Sequence, residues 1–242
     1  MPAVPRVPAE PRPLDLNADL GEEITDDTAL LGVVTSANVA CGYHAGNARI
    51  MRAVCGQAAA LGVSIGAQVS YDDRENFGRV ARDVAAEVLA EQVAEQVGIL
   101  SDIAREEGSV VRYLKPHGAL YHRVLDDEAQ ALAVLAGSGD LPVLGLPGGV
   151  LLDLATAAGR RVLLEGFPDR AYTAQGRLVP RSEPGALIAD ADRIADHALE
   201  LAAGAEPELD SLCVHGDHPG AVEHARAVRR ALEAAGHQLR GL

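Results

Sequence analysis

Seven times along this chain a short apolar, partly β-branched run gives way to a loop and, in most cases, to a stretch of helical periodicity. The runs fall at 14–19, 36–41, 64–70, 110–115, 142–146, 161–166 and 211–215. Helical patterns occupy 47–61, 83–107, 126–136, 150–158, 190–203 and 219–235, with Asn47 and Asp83 as expected N-caps. Gly62, Gly108, Gly137, Gly159, Gly204 and Gly236 are read as lying just past the helix ends. A strand that returns to its sheet through a helix must run parallel to its predecessor, and the crossover is right-handed. Seven such units predict an α/β protein, a seven-stranded parallel β/α barrel distorted from the eight-stranded form, in preference to an open doubly wound sheet.

A chain of 242 residues suits one such barrel, read here as a single catalytic domain over 14–242. The first 13 residues hold five of the 13 prolines and no apolar core of a signal peptide, and are expected to be a disordered extension. The net charge of −14 argues against nucleic acid and membrane-surface partners, and no apolar stretch is long enough to span a bilayer. Three cysteines, Cys41, Cys55 and Cys213, show no zinc-ligand spacing and read as reduced core thiols. A cytoplasmic protein is expected.

The residues able to do chemistry sit where the strands end, the face on which β/α enzymes build their sites. Twenty of the 21 cationic side chains are arginine, and the one lysine, Lys115, ends the fourth run. Where arginine serves everywhere else, a retained ammonium marks a position that needs a compact charge. His44, His117 and His215 each follow a run and, with Asp19 and Asp217, would converge at one barrel mouth. Asp19 could bind a metal, hold an imidazole or act as a base. His197, His224 and His237 fall on helical patterns and are expected at the surface. The loop aromatics, including Tyr121, are read as lining a pocket. No P-loop, dinucleotide fingerprint or nucleophile elbow occurs. What remains is a water-activating or carbonyl-polarising site of carboxylates, imidazoles and one ammonium, with arginines for an anionic substrate.

Five segments together resemble the LamB/YcsF family. They are Leu-Asn-Ala-Asp-Leu-Gly-Glu at 16–22, Ala-Asn-Val-Ala-Cys-Gly-Tyr-His-Ala-Gly at 37–46, Lys-Pro-His-Gly-Ala-Leu-Tyr at 115–121, Asp-Arg-Ala-Tyr at 169–172 with Gly-Arg-Leu-Val-Pro-Arg at 176–181, and Cys-Val-His-Gly-Asp at 213–217. The resemblance implies a barrel similar to the glycoside hydrolase/deacetylase superfamily. It also implies one component of an ATP-dependent 5-oxoprolinase, which opens the lactam of 5-oxo-L-proline to L-glutamate together with partner subunits B and C. On that reading Asp19, His44, Lys115 and His117 are the candidate catalytic residues. Asn17, Glu22, Gln68, Tyr121, Arg170, Arg181, His215 and Asp217 are the candidate substrate-binding residues. ATP would be bound with or by the partners, and a divalent metal, if used, would sit on Asp19 and His44. Gln68 stands where the family's pattern has an imidazole. The alternatives are a stand-alone metal-dependent deacetylase or amidohydrolase on a sugar or small amide, and a non-catalytic binding subunit.

Overall fold

The computed structural model describes residues 12–204, 207–218 and 220–242, so most of the proline-rich extension and Pro219, read as the start of the last helix, lie outside the described residues. The chain closes a barrel in sequence order from β1 (Asp15–Leu20), β2 (Ser36–Ala40), β3 (Ser64–Val69), β4 (Val111–Pro116), β5 (Val143–Gly145), β6 (Val162–Gly166) and β7 (Ser211–Val214), with β7 pairing back onto β1. Every ladder is parallel. The helices are α1 (Asp27–Leu31), α2 (Ala48–Leu61), α3 (Ala86–Glu106), α4 (Gly118–Arg123), α5 (Glu128–Gly137), α6 (Val150–Ala157), α7 (Ala191–Gly204) and α8 (Ala221–Ala234). The seven-stranded parallel barrel expected from the alternation is therefore the fold.

Side chains of a strand point alternately to its two faces. Leu16, Ala18 and Leu20 of β1, with Ala37 and Val39 of β2 and Ile65, Ala67 and Val69 of β3, pack outward against helix residues such as Val54, Ala58 and Leu100. The inward set is polar. Asp15, Asn17 and Asp19 alternate down β1, joined across the interior by Ser36, Asn38, Gln68, Tyr113, Lys115, Glu165, Ser211 and Cys213, all buried. A small apolar plug of Tyr113, Leu144 and Leu163 fills part of the interior. The branched aliphatics usual in such barrels are thus displaced to the outer face, and the inner space holds a hydrogen-bonded network.

Helix starts divide according to what the chain before them does. Asn47 caps α2 as expected, its Oδ1 accepting from the amides of Arg49 and Ile50, and Gly62 ends the helix in the left-handed conformation. Asp83 caps nothing. The side-chain amide of Gln130 donates to the Val84 carbonyl at 2.8 Å, tying this stretch to α5, and α3 begins only at Ala86 with no side-chain cap. Gly137 is the last residue of α5, not the residue after it. His224 is also a correction, since it is buried on α8 with its Nδ1 3.1 Å from Nε2 of His218. Between β6 and α7 the chain makes a long irregular excursion, braced by bridges from Arg170 to Leu187 and from Tyr172 to Leu178, that folds over the barrel mouth.

Candidate active site

At the C-terminal ends of the strands a cavity of about 450 Å³ is lined by Asp19, Lys115, His117, Tyr121, Arg170, Arg181 and His215, together with Arg79, Phe167 and Leu178. Its volume is that of an ordinary small-molecule site. The sequence-derived candidates therefore meet in one place, but in three layers. Asn17 lies below the cavity floor, and Glu22, His44 and Gln68 form a cluster that does not reach the cavity wall. Asp217 stands beside it, taking Arg181 Nη1 at 3.0 Å and a contact from Arg79.

Lys115 is held on the floor by Glu165, Cys213 and Asp19, with Asn17 Oδ1 a further acceptor at 3.5 Å. Its Nζ lies 3.0 Å from Glu165 Oε2, 3.1 Å from Cys213 Sγ and 3.4 Å from Asp19 Oδ1, with the Phe167 ring centroid 5.2 Å away. Burial alone would discharge it, but the Asp19 carboxylate, with Cys213 and Glu165, lifts its pKa well above the usual lysine value. It is an ammonium at any physiological pH. Burial likewise opposes ionisation of Asp19, yet Lys115, then His215 and Asn38, hold its carboxyl below the ordinary range. Asn38 does this by donating to Asp19 Oδ1 at 2.8 Å while also donating to Asn17 at 2.7 Å and accepting from Tyr113 at 2.7 Å. Glu165 is different: burial pushes its carboxyl up, and Lys115 only partly offsets this.

His215 is oriented by a carboxylate that sequence reasoning left unassigned. Asp169 accepts from His215 Nδ1 at 2.9 Å and from the His215 backbone amide at 3.0 Å. Although burial favours protonation of Asp169, His215 keeps it ionised. The ring is stacked on Phe167 at 5.2 Å, and Nε2 is left as the free nitrogen of a residue that lines the cavity. Arg170 is fully buried and spends its fork on the carbonyls of Val179 and Ala186, at 2.7 and 3.4 Å. It braces the excursion, leaving Arg181 as the more accessible guanidinium.

Beside the cavity, His117 stacks on His44 with centroids 4.1 Å apart. Burial, with His44 and Arg79 nearby, drives the His117 pKa far down, so the ring is neutral. Its Nε2 faces the Phe77 carbonyl at 3.2 Å, which places the proton there and leaves Nδ1 a bare acceptor. Glu22 Oε1 is 3.5 Å from that Nδ1 and 3.6 Å from His44 Nε2. The Gln68 amide nitrogen bridges Glu22 Oε1 and His117 Nδ1 at 2.9 Å each. Asp19 is turned toward Lys115, and among the described residues the three-residue group whose donor atoms lie within 4.8 Å of one another is Glu22, His44 and His117. Of the loop aromatics, Tyr121 and Phe167 line the cavity, whereas Tyr71 is buried on Gln130 and Tyr43 bonds Glu95 outside.

The model of the LamB/YcsF family matches residues 14–242. A relative from Streptomyces avermitilis, named as a 5-oxoprolinase subunit, is 54% identical over 242 residues, spanning 92% of this chain and 97% of its own length. The crystal structure of a lactam utilization protein from Thermus thermophilus superposes with a TM-score of 0.88 at 37% identity, covering 96% of this chain and all of that one. A peptidoglycan deacetylase from Bacillus subtilis shares the fold alone, with a TM-score of 0.50 at 11% identity over 97% of this chain and 90% of its own.

Proposed function

This chain belongs to the LamB/YcsF family, and on that premise we propose that it is the lactam-opening subunit of an ATP-dependent 5-oxoprolinase, converting 5-oxo-L-proline to L-glutamate. The observation that carries the reading is the single lysine of the chain, held as a buried ammonium on the floor of a cavity whose upper wall offers an arginine.

Lactam hydrolysis needs a counter-charge for the substrate carboxylate, a cation for the oxyanion that forms when water adds to the carbonyl, and groups that move protons. Arg181, already fixed by Asp217, suits the carboxylate. Lys115 suits the oxyanion, its position set before substrate arrives by Asp19, Glu165 and Cys213. Asp19, ionised and at the cavity surface, orients water. His215, with Nδ1 fixed by Asp169, takes a proton at Nε2 and returns it to the departing lactam nitrogen. Tyr121 packs edge-on against Phe167 and closes the apolar side, limiting water access. Asn17, Glu22, Gln68 and His44 support these groups from below and beside the cavity.

Opening an unstrained five-membered lactam is an uphill amide hydrolysis, which gives ATP coupling its reason. No P-loop pattern is encoded here, which favours ATP bound with or by partner subunits B and C. Three buried free thiols suit a reducing, cytoplasmic setting, and among the described residues no helix is long and apolar enough to cross a membrane. The test is glutamate release from 5-oxoproline and ATP by this chain with and without co-expressed subunits B and C. Release only from the assembled set is expected; a full complex that hydrolyses no 5-oxoproline overturns the reading.

A further inference from the structure

We propose that the cavity takes a wider substrate class than 5-oxoproline itself: 5-oxo-L-prolines that carry an apolar substituent on ring carbon 3 or 4, opened to the correspondingly substituted glutamates. The inference rests on the lactam-opening reading above and names the range of lactams this site accepts. It begins with a mismatch of size. 5-Oxoproline has nine non-hydrogen atoms, whereas a cavity of about 450 Å³ holds about 15 water-sized groups at the roughly 30 Å³ a water occupies in the liquid. Bonded atoms pack more closely than waters, so the parent substrate leaves more than a third of the space unfilled.

The walls decide what can fill it. Each polar group of the substrate already has a partner: Lys115 for the lactam oxygen, Arg181 for the carboxylate on carbon 2, and His215 for the ring nitrogen. The edge formed by ring carbons 3 and 4 is left over. On the protein side, what is left over is an apolar wall of Ala119, Tyr121, Phe167, Leu178 and Pro180. Carbon therefore faces carbon. A polar substituent would lose its water there without gaining a partner, whereas each methylene laid against the wall should tighten binding by about fourfold.

This wall is preformed. Tyr121, Phe167 and Leu178 belong to one buried cluster with Leu125 and Leu146, and the Tyr121 and Phe167 rings meet edge to face at 5.7 Å. The excursion that carries Leu178 is braced by its bridge to Tyr172 and by Arg170 on the carbonyls of Val179 and Ala186. So held, the wall does not close onto the smaller substrate. The bond changes are those of the parent reaction: water oxygen ends on carbon 5, the bond from carbon 5 to nitrogen breaks, and the nitrogen gains a proton. The substituent takes no part in them, so it binds ground and transition states alike and acts on KM, with kcat held.

The experiment assays the complex of this chain with subunits B and C on 5-oxo-L-proline and on both diastereomers of its 4-methyl and 4-benzyl derivatives, with the amino acid products resolved by chromatography. For at least one diastereomer of each, kcat should stay within about threefold of the parent, with KM lower by about fourfold for methyl and further for benzyl. Leu178→Trp, which puts an indole into the spare space, should lower kcat/KM for the benzyl compound relative to 5-oxoproline by about 10-fold or more; circular dichroism checks that the variant folds. A complex that opens 5-oxoproline but neither derivative overturns the inference and leaves the function standing. A complex that opens none of the compounds overturns the function, and the inference with it. An unchanged preference in folded Leu178→Trp also overturns the inference, because the substituent would then lie away from this wall.

Discussion

Lys115 shows how much a single side chain can be asked to do in a buried polar site. Its ammonium meets three partners within 3.4 Å in a space shaped for a small charge. A guanidinium carries the same charge as a wide planar fork and cannot occupy that space with the same contacts. Lys115→Arg should therefore abolish turnover, on the order of 10²-fold or more as for loss of an oxyanion donor, while leaving the circular dichroism spectrum unchanged; unchanged turnover would remove Lys115 from the chemistry. Asp15, at the other end of β1, makes a stability prediction. Burial raises its carboxyl from 3.8 to about 6, against the hydroxyls of Ser211, Ser36 and Thr35 that favour the charged form. A carboxyl with a raised native pKa binds its proton more tightly folded than unfolded, so it favours folding below about pH 4 and this contribution is lost as pH rises through 6. Asp15→Asn should gain about 1 kcal/mol relative to wild type between pH 5 and pH 7, as measured by urea unfolding at the two values. Lys115 and His215 could be picked out of the sequence because their types are rare and their positions end strands. Glu165, Asn38 and Asp169 could not, because their roles come from neighbours 19 to 75 residues away. The alternation of Asp15, Asn17 and Asp19 along one strand was the available signal that the barrel interior is polar.

At the scale of elements, caps and close approaches decide what the sequence pattern leaves open. Asn47 satisfies two amides at the start of α2, and Asn47→Ala should cost about 1 kcal/mol, lowering the melting temperature by about 2–4 °C in a chain of this size. An unchanged melting curve would mean that water replaces the cap without loss. Gly66 on β3 is the partner of Tyr113 on β4, and a side chain there would meet the Tyr113 ring directly. Gly66→Ala should push the ring away from Asn38, whose other bonds hold Asn17 and Asp19. Activity should fall, and the loss should exceed that of Tyr113→Phe, which removes only the hydroxyl; equal activity in the glycine variant and wild type would show that the strand pair yields without moving Asn38. The seven strands and six long helices were legible because each repeats a period over several residues. The short α1 and α4 were not, since five and six residues hold too little of a 3.6-residue period. The start of α3 departs from its local pattern for another reason: Asp83 is a good cap by type, but the bond from Gln130 to Val84 holds that stretch against α5, a tertiary contact that no local pattern records.

The whole molecule is acidic, with a net charge of −14, yet its cavity gathers Arg79, Lys115, Arg170 and Arg181. An anion is thus drawn to one place on a surface that otherwise repels it. Those cations are already engaged: Arg79 and Arg181 with Asp217, Arg170 with two carbonyls, Lys115 with Glu165 and Asp19. A small carboxylate can share Arg181 with Asp217, but a triphosphate needs several free donors and a loop of converging backbone amides, the arrangement found in phosphate-binding loops. The sequence contains no P-loop pattern, and the glycine pair at 148–149 ahead of α6 is not part of one. On the proposed function, ATP added to the purified chain should give no heat of binding at micromolar concentration, whereas the same titration on the proposed complex with subunits B and C should show saturable binding. Replacing Arg181 with alanine in the complex should then weaken use of 5-oxoproline and leave the nucleotide titration as it was, because the two ligands would occupy different chains. Tight ATP binding by the chain alone, lost together with 5-oxoproline turnover in Arg181→Ala, would instead place the nucleotide in this cavity and assign the coupling step to this barrel.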